Sequence, residues 1–324
     1  MQSTKGQRGV ALVLVLMIVA LVSVIATQMG SRLQLQAKRA GNLKDSNQAY
    51  WYAMSAEQYA QKALAEQMKN ANGVINLNQP WAASDIQFPL ENGGIEAKLT
   101  DMQSCFNVNA LQTSSNSRPL ADAFKRLLQS EEFEIPSYEV DVFRDSVLDW
   151  LDEDDNLSPY GAEDSDYEAM QPPYLPANGL MSSISELRMV NGANPKWLSK
   201  VLPLLCVIPG HTELKININT LDESAAPLLH ALLGSSISLQ NVKDILSSRR
   251  PEGFESKEDF LNMPEITNLN LDDDQKAWFD VTTGYFLLQT RSRYNNASFA
   301  MSSLLKVGND HQASVIRREF GGFQ

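Results

Sequence analysis

The chain has 324 residues, of which 43% are hydrophobic and 8% are aromatic, and its formal net charge is −12. This length and apolar content are enough to bury a substantial core, so the composition argues against a disordered protein and allows two domains. The acidic balance argues against a protein that wraps nucleic acid, because such proteins use a basic face to displace counterions from phosphates. We therefore expect a folded protein with no nucleic-acid partner.

The first feature in chain order is an apolar run from Val10 to Ala26, which follows Lys5 and Arg8. Its length is close to the lower limit of about 17 residues that a helix needs to cross a bilayer. Because two basic residues and no acidic residue precede the run, the positive-inside rule predicts a cytoplasmic N-terminus. The residues after the run would then be exported. We predict a transmembrane helix at residues 10–27 of a single-pass protein of the bacterial inner membrane, with a periplasmic globular part.

The residues around the apolar run indicate how the N-terminus is processed. Residues 20–31 contain no convincing Ala-x-Ala site at which a signal peptidase would remove the helix. Gly9 is a small residue immediately before the run, so cleavage there would remove a basic leader, residues 1–9, and leave a helix that starts at Val10. An ordinary uncleaved signal anchor is the alternative interpretation.

The helical pattern continues beyond the apolar run. Alanine and leucine recur at spacings near three and four, and the first proline is Pro80. The residues in this pattern are Leu33, Ala37, Ala40, Ala49, Ala53, Ala56, Ala60, Ala63 and Leu64. We predict one helix from Val10 to about Asn70, whose second half packs on a globular domain through the alanine-rich face.

After the long helix, β-rich flanks enclose a helical middle. Strand patterns bounded by turn residues occur at 95–101, 105–108, 280–282, 285–293, 297–307 and 313–320. Helical patterns occur at 120–129, 140–150, 184–189, 195–202, 223–233, 239–248 and 257–262. The predicted fold class is α+β: the long N-terminal helix packs on an antiparallel sheet of residues 28–112 and 279–324, into which an all-α domain, residues 113–278, is inserted.

Part of the insert is similar to a helix-hairpin-helix or SAM-like module. The similarity covers the segment 216–220, the helices that follow it and the hairpin 233–236. The DNA-binding version places a Gly-rich hairpin and nearby cations against phosphate. The cations near this hairpin are Lys243, Arg249 and Arg250. We favour a packing or protein-contact role over nucleic-acid binding.

The segment from Asp149 to Glu168 contains nine acidic residues and neither Lys nor Arg. Such a density of like charge repels itself unless a cation neutralises it. The oxygen-bearing residues at the first, third, fifth and twelfth positions of an EF-hand-like loop are Asp152, Asp154, Asn156 and Glu163. Leu157 stands where an EF-hand has Gly, so the loop departs from that geometry.

We predict a structural Ca²⁺ site in this acidic segment, which would hold the Pro-rich loop at 172–176 against the helices. The predicted ligands are Asp152, Asp154, Asn156, Glu163, Asp164 and Asp166. A solvated acidic loop without a bound ion is the alternative interpretation.

The chain has two cysteines, Cys105 beside a predicted strand and Cys206 at the end of the insert. In an oxidising periplasm they could form a disulfide, whose loop of about a hundred residues would constrain the unfolded chain by roughly 4 to 5 kcal/mol. Such a bond would join the insert to its host domain. Two buried thiols are the alternative, and a zinc site is disfavoured because no histidine stands at ligand spacing.

The sequence carries none of the common catalytic motifs. Its three histidines, His211, His230 and His311, are scattered, and it lacks His-Glu-x-x-His, Gly-x-Ser-x-Gly and the phosphate-binding Gly-Lys-Ser/Thr. We expect that the chain is not an enzyme. A metal-dependent hydrolase built on the acidic segment is the enzymatic alternative.

The leader that ends at Gly9, followed by Val10-Ala11-Leu12, resembles the N-terminus of type IV prepilin-like proteins, in which prepilin peptidase cuts after the glycine. Over essentially its whole length the chain resembles the K-type minor pseudopilins of type II secretion systems. The segments that carry the resemblance are the Val-Ala-Leu start, 105–109, the acidic segment through 161–164, and 216–220. It implies a pilin-like α+β domain, cleavage between Gly9 and Val10 with methylation of the new terminus, and calcium in the helical domain.

One departure from the general pilin pattern is informative. Most pilins and pseudopilins carry Glu at the fifth mature position, which is Leu14 here, counting from Val10. In a fibre that Glu is thought to neutralise the terminal amine of the preceding subunit, because an unpaired charge among apolar helices is costly. A subunit at the tip has no predecessor, so Leu14 agrees with the tip position that the resemblance implies.

The resemblance implies a minor pseudopilin that caps the tip of the type II secretion pseudopilus and helps to start its assembly, for export of folded exoproteins across the outer membrane. The implied partners are the minor pseudopilins of the I, J and H types, the major pseudopilin, the inner-membrane assembly platform and prepilin peptidase. Exoprotein cargo is a further candidate partner. The alternative is a signal-anchored periplasmic binding protein unrelated to secretion.

Overall fold

A computed structural model of the chain describes residues 8–70, 73–83, 86–115 and 118–321. The first seven residues of the predicted leader lie outside the described residues. The α-helices are α1 (Arg8–Asn70), α2 (Arg118–Leu128), α3 (Ser137–Leu151), α4 (Asp164–Glu168), α5 (Pro195–Val201), α6 (Ala226–Leu233), α7 (Leu239–Ser248), α8 (Lys257–Leu261), α9 (Pro264–Thr267) and α10 (Asp273–Lys276). Short 3-10 helices span Pro80–Ala82, Val108–Ser115, Ile184–Arg188, Leu202–Leu204 and Glu223–Ala225.

Nine strands lie in the described part of the chain. They are β1 (Ile86–Leu90), β2 (Gly93–Asp101), β3 (Phe106–Asn107), β4 (Leu205–Cys206), β5 (Ile216–Asn217), β6 (Phe279–Asp280), β7 (Tyr285–Tyr294), β8 (Ala297–Val307) and β9 (Ala313–Phe320). The five long strands form one antiparallel sheet in the order β1-β2-β7-β8-β9. Strands β2 and β7 are neighbours, and Asp101 pairs with Phe286, so the helical insert leaves and rejoins the sheet at one place.

The second half of α1 packs on this sheet. The face that meets β7 and β8 is made of small side chains that are buried. Its buried positions are Ala49, Ala53, Ala56, Ala60 and Leu64. Spacings of three and four residues place these side chains on one face, and alanines allow the helix to approach the strands closely. The predicted long helix and its alanine-rich contact face are therefore confirmed.

Two polar contacts fix the position of α1 along the sheet. The Glu57 carboxylate, 1% exposed, accepts hydrogen bonds from Ser303 Oγ at 2.6 Å and from Arg318 Nε at 2.7 Å. Eight residues earlier, the Ala49 carbonyl accepts a hydrogen bond from Ser292 Oγ at 2.6 Å. Burial alone would raise the pKa of Glu57, but the hydrogen bonds and the charge of Arg318 outweigh it and lower that pKa.

The residues between β2 and β7 form a separate hydrophobic core. One continuous cluster of buried side chains runs from Phe106 to Val281 and includes α2, α3, α6 and α7. A second cluster lies between α1 and the sheet, around Leu64, Trp81 and Phe286. The α+β fold class with a helical insert is thus confirmed, while the domain boundaries at 112/113 and 278/279 remain predictions.

Two Asn-x-Asn segments give the insert an internal repeat. Strand β3, Phe106–Asn107, pairs in parallel with β4, and strand β5, Ile216–Asn217, pairs in parallel with β6. In the first segment, Asn109 Oδ1 accepts from Met181 N at 2.9 Å, and Asn109 Nδ2 donates to Met181 O at 2.9 Å. In the second, Asn219 makes the same pair of bonds to Phe254 N at 2.7 Å and Phe254 O at 2.9 Å.

The repeat extends to the helices after these bonds. Ser183 lies two residues after Met181, and Ser256 lies two residues after Phe254. Each serine is the N-cap of a capping box, completed by Glu186 in the first case and by Asp259 in the second. The insert is therefore built as two units with the same plan, each opened by an Asn-x-Asn strand and closed by a parallel strand.

The structure corrects several predicted elements. The strand expected at 105–108 is limited to β3, and the strand expected at 280–282 is β6, because each is a two-residue parallel bridge rather than part of the large sheet. The helix expected at 184–189 is a 3-10 helix, and the segment 223–233 divides into a 3-10 turn and α6. Strand β1 and the short helices α4, α9 and α10 were not predicted.

Candidate functional site

The N-terminal part of α1 has no contact with the chain's own core. Residues 9–44 are exposed throughout, and the first buried position is Ala49. This helix is the one candidate for a membrane span in the described part of the chain, by length and composition. The predicted processing residues, Gly9 and Val10, lie in its first turns, where Val10 is 70% exposed. Single-pass membrane anchoring agrees with this arrangement.

The acidic segment forms a second candidate site at the end of α3. The carboxylates of Asp145 and Asp149 are one turn apart on the helix face that meets the following loop. Asp149 Oδ2 accepts a hydrogen bond from Ser158 N at 3.2 Å, and Asp145 Oδ2 accepts one from Tyr160 N at 3.2 Å. The end of α3 therefore holds the acidic loop through its backbone.

Buried carboxylate oxygens without partners lie in this site. Asp149 is fully buried and Glu163 is 5% exposed. Among the described residues, Asp149 Oδ1, Asp152 Oδ1 and both carboxylate oxygens of Glu163 are buried and accept no hydrogen bond. Carboxylate oxygens of Asp155, Glu163 and Asp164 lie within 4.8 Å of one another. Orphaned buried acceptors are rare, because each costs free energy unless a donor or cation satisfies it.

The charges of these residues interact unfavourably in the absence of a cation. Burial, together with the charges of Asp154 and Asp149, raises the pKa of Asp152 to about 6. Burial, together with the charges of Asp149 and Asp152, raises the pKa of Glu163 to about 7. Carboxylates that converge in this way are the ligands of hard cations such as Ca²⁺, so the donor set fits such an ion.

The structure distributes the six predicted ligands between two environments. Glu163 and Asp164 lie close to Asp155, and the charges of Asp152 and Asp149 act on Glu163. Asp149 and Asp155 were not among the predicted ligands. Asp154 Oδ1 accepts from Asn156 N at 2.9 Å, and Asn156 is exposed. Asp166 Oδ2 accepts from Glu163 N at 3.1 Å at the N-terminus of α4. Whether any of the six side chains binds an ion stays a prediction.

The sequence offered different evidence for Asp149 and Asp155, the two residues near the site that were not predicted as ligands. Asp149 is three residues before Asp152 on a helix, which places both carboxylates on one side of its last turn. Asp155 lies between the odd-numbered positions of the EF-hand-like frame, so that frame excluded it. The Pro-rich loop also returns to this site, because Gly179 N donates to Trp150 O at 3.2 Å. Asn178 Oδ1 on that loop is another buried oxygen with no hydrogen bond.

Cys105 and Cys206 form a disulfide, with their Cα atoms 5.7 Å apart and 101 positions apart in the chain. Cys105 precedes β3 and Cys206 lies in β4, so the bond closes the first unit of the insert beside its parallel bridge. Both cysteines pack with Met102, Ile208 and Leu304 at the sheet. The pair is therefore a disulfide rather than two free thiols, and it packs against Leu304 of the sheet. That the bond joins the insert to its host domain depends on the predicted boundary at 112/113 and stays a prediction.

The cations near the helical hairpin mostly serve internal contacts. The Arg249 guanidinium donates to the backbone carbonyls of Ile218 and Leu221, and Lys243 pairs with Glu132 at 2.8 Å. The three histidines occupy separate environments. His230 Nε2 is 3.0 Å from Ile237 O, His211 stacks on Tyr285 and His311 has positive φ in a turn.

Comparison with known proteins identifies the family of this chain. Two family profiles, both described as type II secretion system (T2SS) protein K, match residues 104–210 and 216–282. These ranges coincide closely with the two units of the insert. The chain is 36% identical to the type II secretion system protein K of Aeromonas hydrophila, over 99% of both chains. It is 32% identical to that of Pectobacterium carotovorum subsp. carotovorum, over 98% of both.

A solved structure extends the similarity to three dimensions. A chain in the crystal structure of the GspK-GspI-GspJ complex, from the type 2 secretion system of enterotoxigenic Escherichia coli, superimposes with a TM-score of 0.78. The sequence identity is 31%, and the match covers 90% of this chain and 100% of that chain. The pilin-like architecture, the helical insert and the similarity along the whole sequence agree with a minor pseudopilin role in type II secretion. This chain therefore belongs to the type II secretion system protein K family.

Proposed function

We propose that this chain caps the tip of the type II secretion pseudopilus and helps to start its assembly, so that folded exoproteins can cross the outer membrane. The observation that carries the proposal is the exposed part of α1. The chain's own globular part leaves residues 9–44 uncovered. Val10 to Ala26 are apolar or small, and the residues after them include Arg32, Lys38, Arg39 and Lys44. Such a helix is stable in lipid and against the helices of neighbouring subunits.

The length of α1 supports a position that bridges membrane and fibre. Its 62 residues from Gly9 to Asn70 extend about 93 Å, whereas the bilayer core is about 30 Å thick. The part beyond the bilayer carries the sheet and the insert. We propose that the basic leader lies in the cytoplasm and that the globular part lies in the periplasm, anchored in the inner membrane, and the positive charge before the apolar run supports this orientation.

The fifth position after the cleavage site supports the tip location. Leu14 stands there and is 56% exposed on the isolated helix. An apolar residue at this position offers no carboxylate to the terminal amine of a preceding subunit, so nothing in α1 requires such a subunit. The partners we propose are the I- and J-type minor pseudopilins, with the H type, the major pseudopilin and the assembly platform beyond them. The GspK relative was solved in a complex with GspI and GspJ.

We propose a structural Ca²⁺ at the acidic site. Asp149, Asp152, Asp155, Glu163 and Asp164 supply its nearest oxygen donors, and the orphaned buried oxygens support the assignment. The ion would neutralise converging carboxylates and hold the loop between α3 and α4. Its role is to stabilise the insert. We propose no catalytic step for the chain, and Gly9 is instead the point at which prepilin peptidase acts.

Leader processing is the direct test of the pseudopilin assignment. The intact mass and N-terminal sequence should be measured for protein taken from membranes of cells with and without prepilin peptidase. We expect loss of residues 1–9 only with the peptidase, and a methylated Val10 as the new terminus. An intact Met1 in both strains would contradict the proposal and support an ordinary signal anchor.

A further inference from the structure

The negative charge of the chain is concentrated in one segment. Residues 131–168 hold 15 of the 39 acidic residues and one of the 27 basic residues, so this segment carries −14 and the rest of the chain +2. The segment comprises α3, the acidic loop and α4. Three lysines outside the segment pair with its acidic residues: Lys125 with Asp141, Lys200 with Glu134 and Lys243 with Glu132. These pairs and one divalent ion at the acidic site together offset five charges, so about −9 of the −14 remains. The charge therefore creates a strong negative field around one side of the insert.

Exposed aromatic side chains lie within this negative region. Tyr138 in the first turn of α3 is 68% exposed, and Tyr160 in the acidic loop is 49% exposed. Their rings meet edge to face with centroids 6.0 Å apart. Leu157, three residues before Tyr160, is 60% exposed. Because both side chains are exposed, their rings are accessible to another molecule. Among the residues that the structure describes, neither tyrosine hydroxyl has a hydrogen-bond partner.

A depression adjoins the tyrosine pair. Its volume is about 360 Å³, and its lining includes Tyr138, Glu139, Val142, Gly192 and Pro195. Gly192 has φ +80°, and a Cβ there would approach Val142 Cγ1 to 2.8 Å. Glycine is therefore required where this wall crosses α3. The depression can accept an apolar side chain next to the exposed rings.

The backbone beneath the tyrosine pair is held in place. Tyr160 N donates to Asp145, and Asp145 in turn pairs with Arg144 at 2.5 Å. Ser158, between Leu157 and Tyr160, donates its N–H to Asp149. Because the end of α3 fixes the loop on either side, the surface is preorganised and little ordering entropy is lost when a partner binds.

We propose that Tyr138, Leu157, Tyr160 and the adjoining depression form a docking surface for a basic segment of another protein that also carries apolar side chains. Charge complementarity selects the occupant: the −14 segment attracts Lys and Arg, and the tyrosine faces bind such cations favourably. Apolar side chains of the same segment would cover Leu157 and fill the depression. This inference goes beyond the tip role, since it concerns a surface formed by α3 and the acidic loop rather than by α1.

A binding assay with a defined probe tests the surface. The probe is a fluorescent extended peptide that alternates lysine with leucine and tyrosine, titrated with the full-length chain in a non-ionic detergent with calcium. We expect saturable binding that weakens with added salt, and a loss of about tenfold in affinity for the Tyr138→Ala/Tyr160→Ala variant. Replacing each lysine of the probe with glutamate should abolish binding.

Matched variants separate the surface from general effects. Tyr59→Ala is the control, because Tyr59 is 61% exposed and meets Phe88 edge to face at 5.5 Å on another part of the molecule. Tyr138→Phe/Tyr160→Phe should bind as the unmodified chain does, and Glu153→Gln/Glu168→Gln should bind more weakly than Glu255→Gln/Glu258→Gln. Thermal unfolding verifies folding, and the single variant Tyr138→Ala replaces the double one if that unfolds.

Three outcomes would overturn the proposal. They are the absence of measurable binding, equal affinity for the unmodified chain and the alanine variants, and an equal loss on Tyr59→Ala. None of these outcomes bears on leader processing, so the docking surface and the pseudopilin role can fail separately.

Discussion

At the scale of single residues, Gly161 shows how closely the acidic loop approaches α3. A Cβ at this position would lie 1.7 Å from Asp149 Oδ2 and 3.1 Å from the Ser158 Cβ. We therefore expect Gly161→Ala to displace the loop from the buried carboxylate and to lower the free energy of unfolding by about 1–3 kcal/mol, as overpacking does. Denaturant unfolding in calcium measures this loss.

Gly179→Ala is the control for that substitution. Gly179 lies on the Pro-rich loop of the same site, and the nearest atom to its added Cβ is 3.7 Å away. Its free energy of unfolding should change by less than about 0.5 kcal/mol, as for most substitutions away from special features. Equal effects of the two substitutions would contradict the close contact between Gly161 and Asp149.

A substitution of Glu163 is the direct test of the proposed Ca²⁺ site. Without calcium, Glu163→Gln removes one of several repelling carboxylates, so the variant should unfold at the same temperature as the unmodified chain or higher. With calcium it lacks a charged ligand, so the stabilisation that calcium gives should be largely lost. Differential scanning fluorimetry with a chelator and with excess calcium measures both effects.

The matched substitution for this test is Glu168→Gln, on the exposed side of α4. It changes the same charge in the same short helix and should keep the full calcium response. If calcium does not raise the unfolding temperature of the unmodified chain, no structural ion is bound. If both variants keep the response, Glu163 is not a ligand.

Asp101, at the end of β2, should make the free energy of unfolding depend on pH. Burial raises its pKa to about 6, although hydrogen bonds from Thr220 Oγ1 at 2.6 Å and Gln103 N at 2.7 Å oppose the shift. Because the folded-state pKa lies above the unfolded value of 3.8, the folded chain binds more protons between about pH 4 and 6. The contribution of Asp101 to the free energy of unfolding is therefore fully present below pH 4. It is lost as the pH rises through 6, which lowers the free energy of unfolding by roughly 3 kcal/mol.

Urea unfolding of the unmodified chain and of Asp101→Asn, across this pH range and in saturating calcium, isolates that contribution. The amide cannot titrate, so the difference in free energy between the two proteins should vary with pH in the stated direction. A difference that stays constant from pH 4 to 7 would show that Asp101 has an ordinary pKa in the folded chain.

At the scale of elements, the contact of α1 with the sheet depends on an ion pair whose carboxylate, that of Glu57, is buried. Arg318→Ala would leave the Glu57 carboxylate, 1% exposed, without its cation. We expect a loss of about 3 kcal/mol, because removing one partner of a buried pair leaves an uncompensated charge. Glu57→Gln in the same chain should restore part of the loss. Chemical denaturation at neutral pH gives both values.

The control pair lies on the surface of the same sheet. Arg293 contacts Glu96, and these side chains are 61% and 40% exposed. Since exposed pairs contribute little, Arg293→Ala should lower stability by less than about 1 kcal/mol. A loss similar to that for Arg318→Ala would mean that burial of Glu57 is not what makes its pair important.

Which elements the sequence predicts depends on what stabilises them. Strands β8 and β9 and helix α7 match their predicted ranges because alternation or helical spacing reflects one buried face. Strand β1 contains Pro89 and is mostly exposed, so it has no such pattern. Helix α10 is fixed by a capping box and buries no side chain, and the five-residue helix α4 buries only Tyr167, so neither has an apolar face to reveal it.

The sequence predicted that carboxylates gather in this segment, and the structure clusters several of them, whereas the bound ion stays a prediction. The high density of Asp and Glu was enough to locate the segment, because this density can be counted from the sequence alone. The choice of individual ligands needed the fold, since Asp149 is contributed by the buried end of α3 and Asp166 is used to cap α4. The internal repeat of the insert was also missed, because its two Asn-x-Asn segments are more than a hundred residues apart.

At the scale of the whole molecule, three features have to be accommodated together. Residues 9–44 of α1 project from the globular part, the disulfide closes the first unit of the insert and packs against the sheet, and the segment 131–168 carries the net negative charge. A tip subunit reconciles them. In the proposed tip position, the helix would lie among the other pseudopilin helices, and the insert would need no subunit stacked above it.

The position of the chain along the fibre tests this account most directly. Pseudopili sheared from cells that overproduce the major subunit should be labelled with gold-coupled antibody against the globular part and viewed by electron microscopy. We predict gold at one end of each labelled fibre. Gold distributed along the fibres would show that the chain is incorporated throughout, and would contradict the tip position.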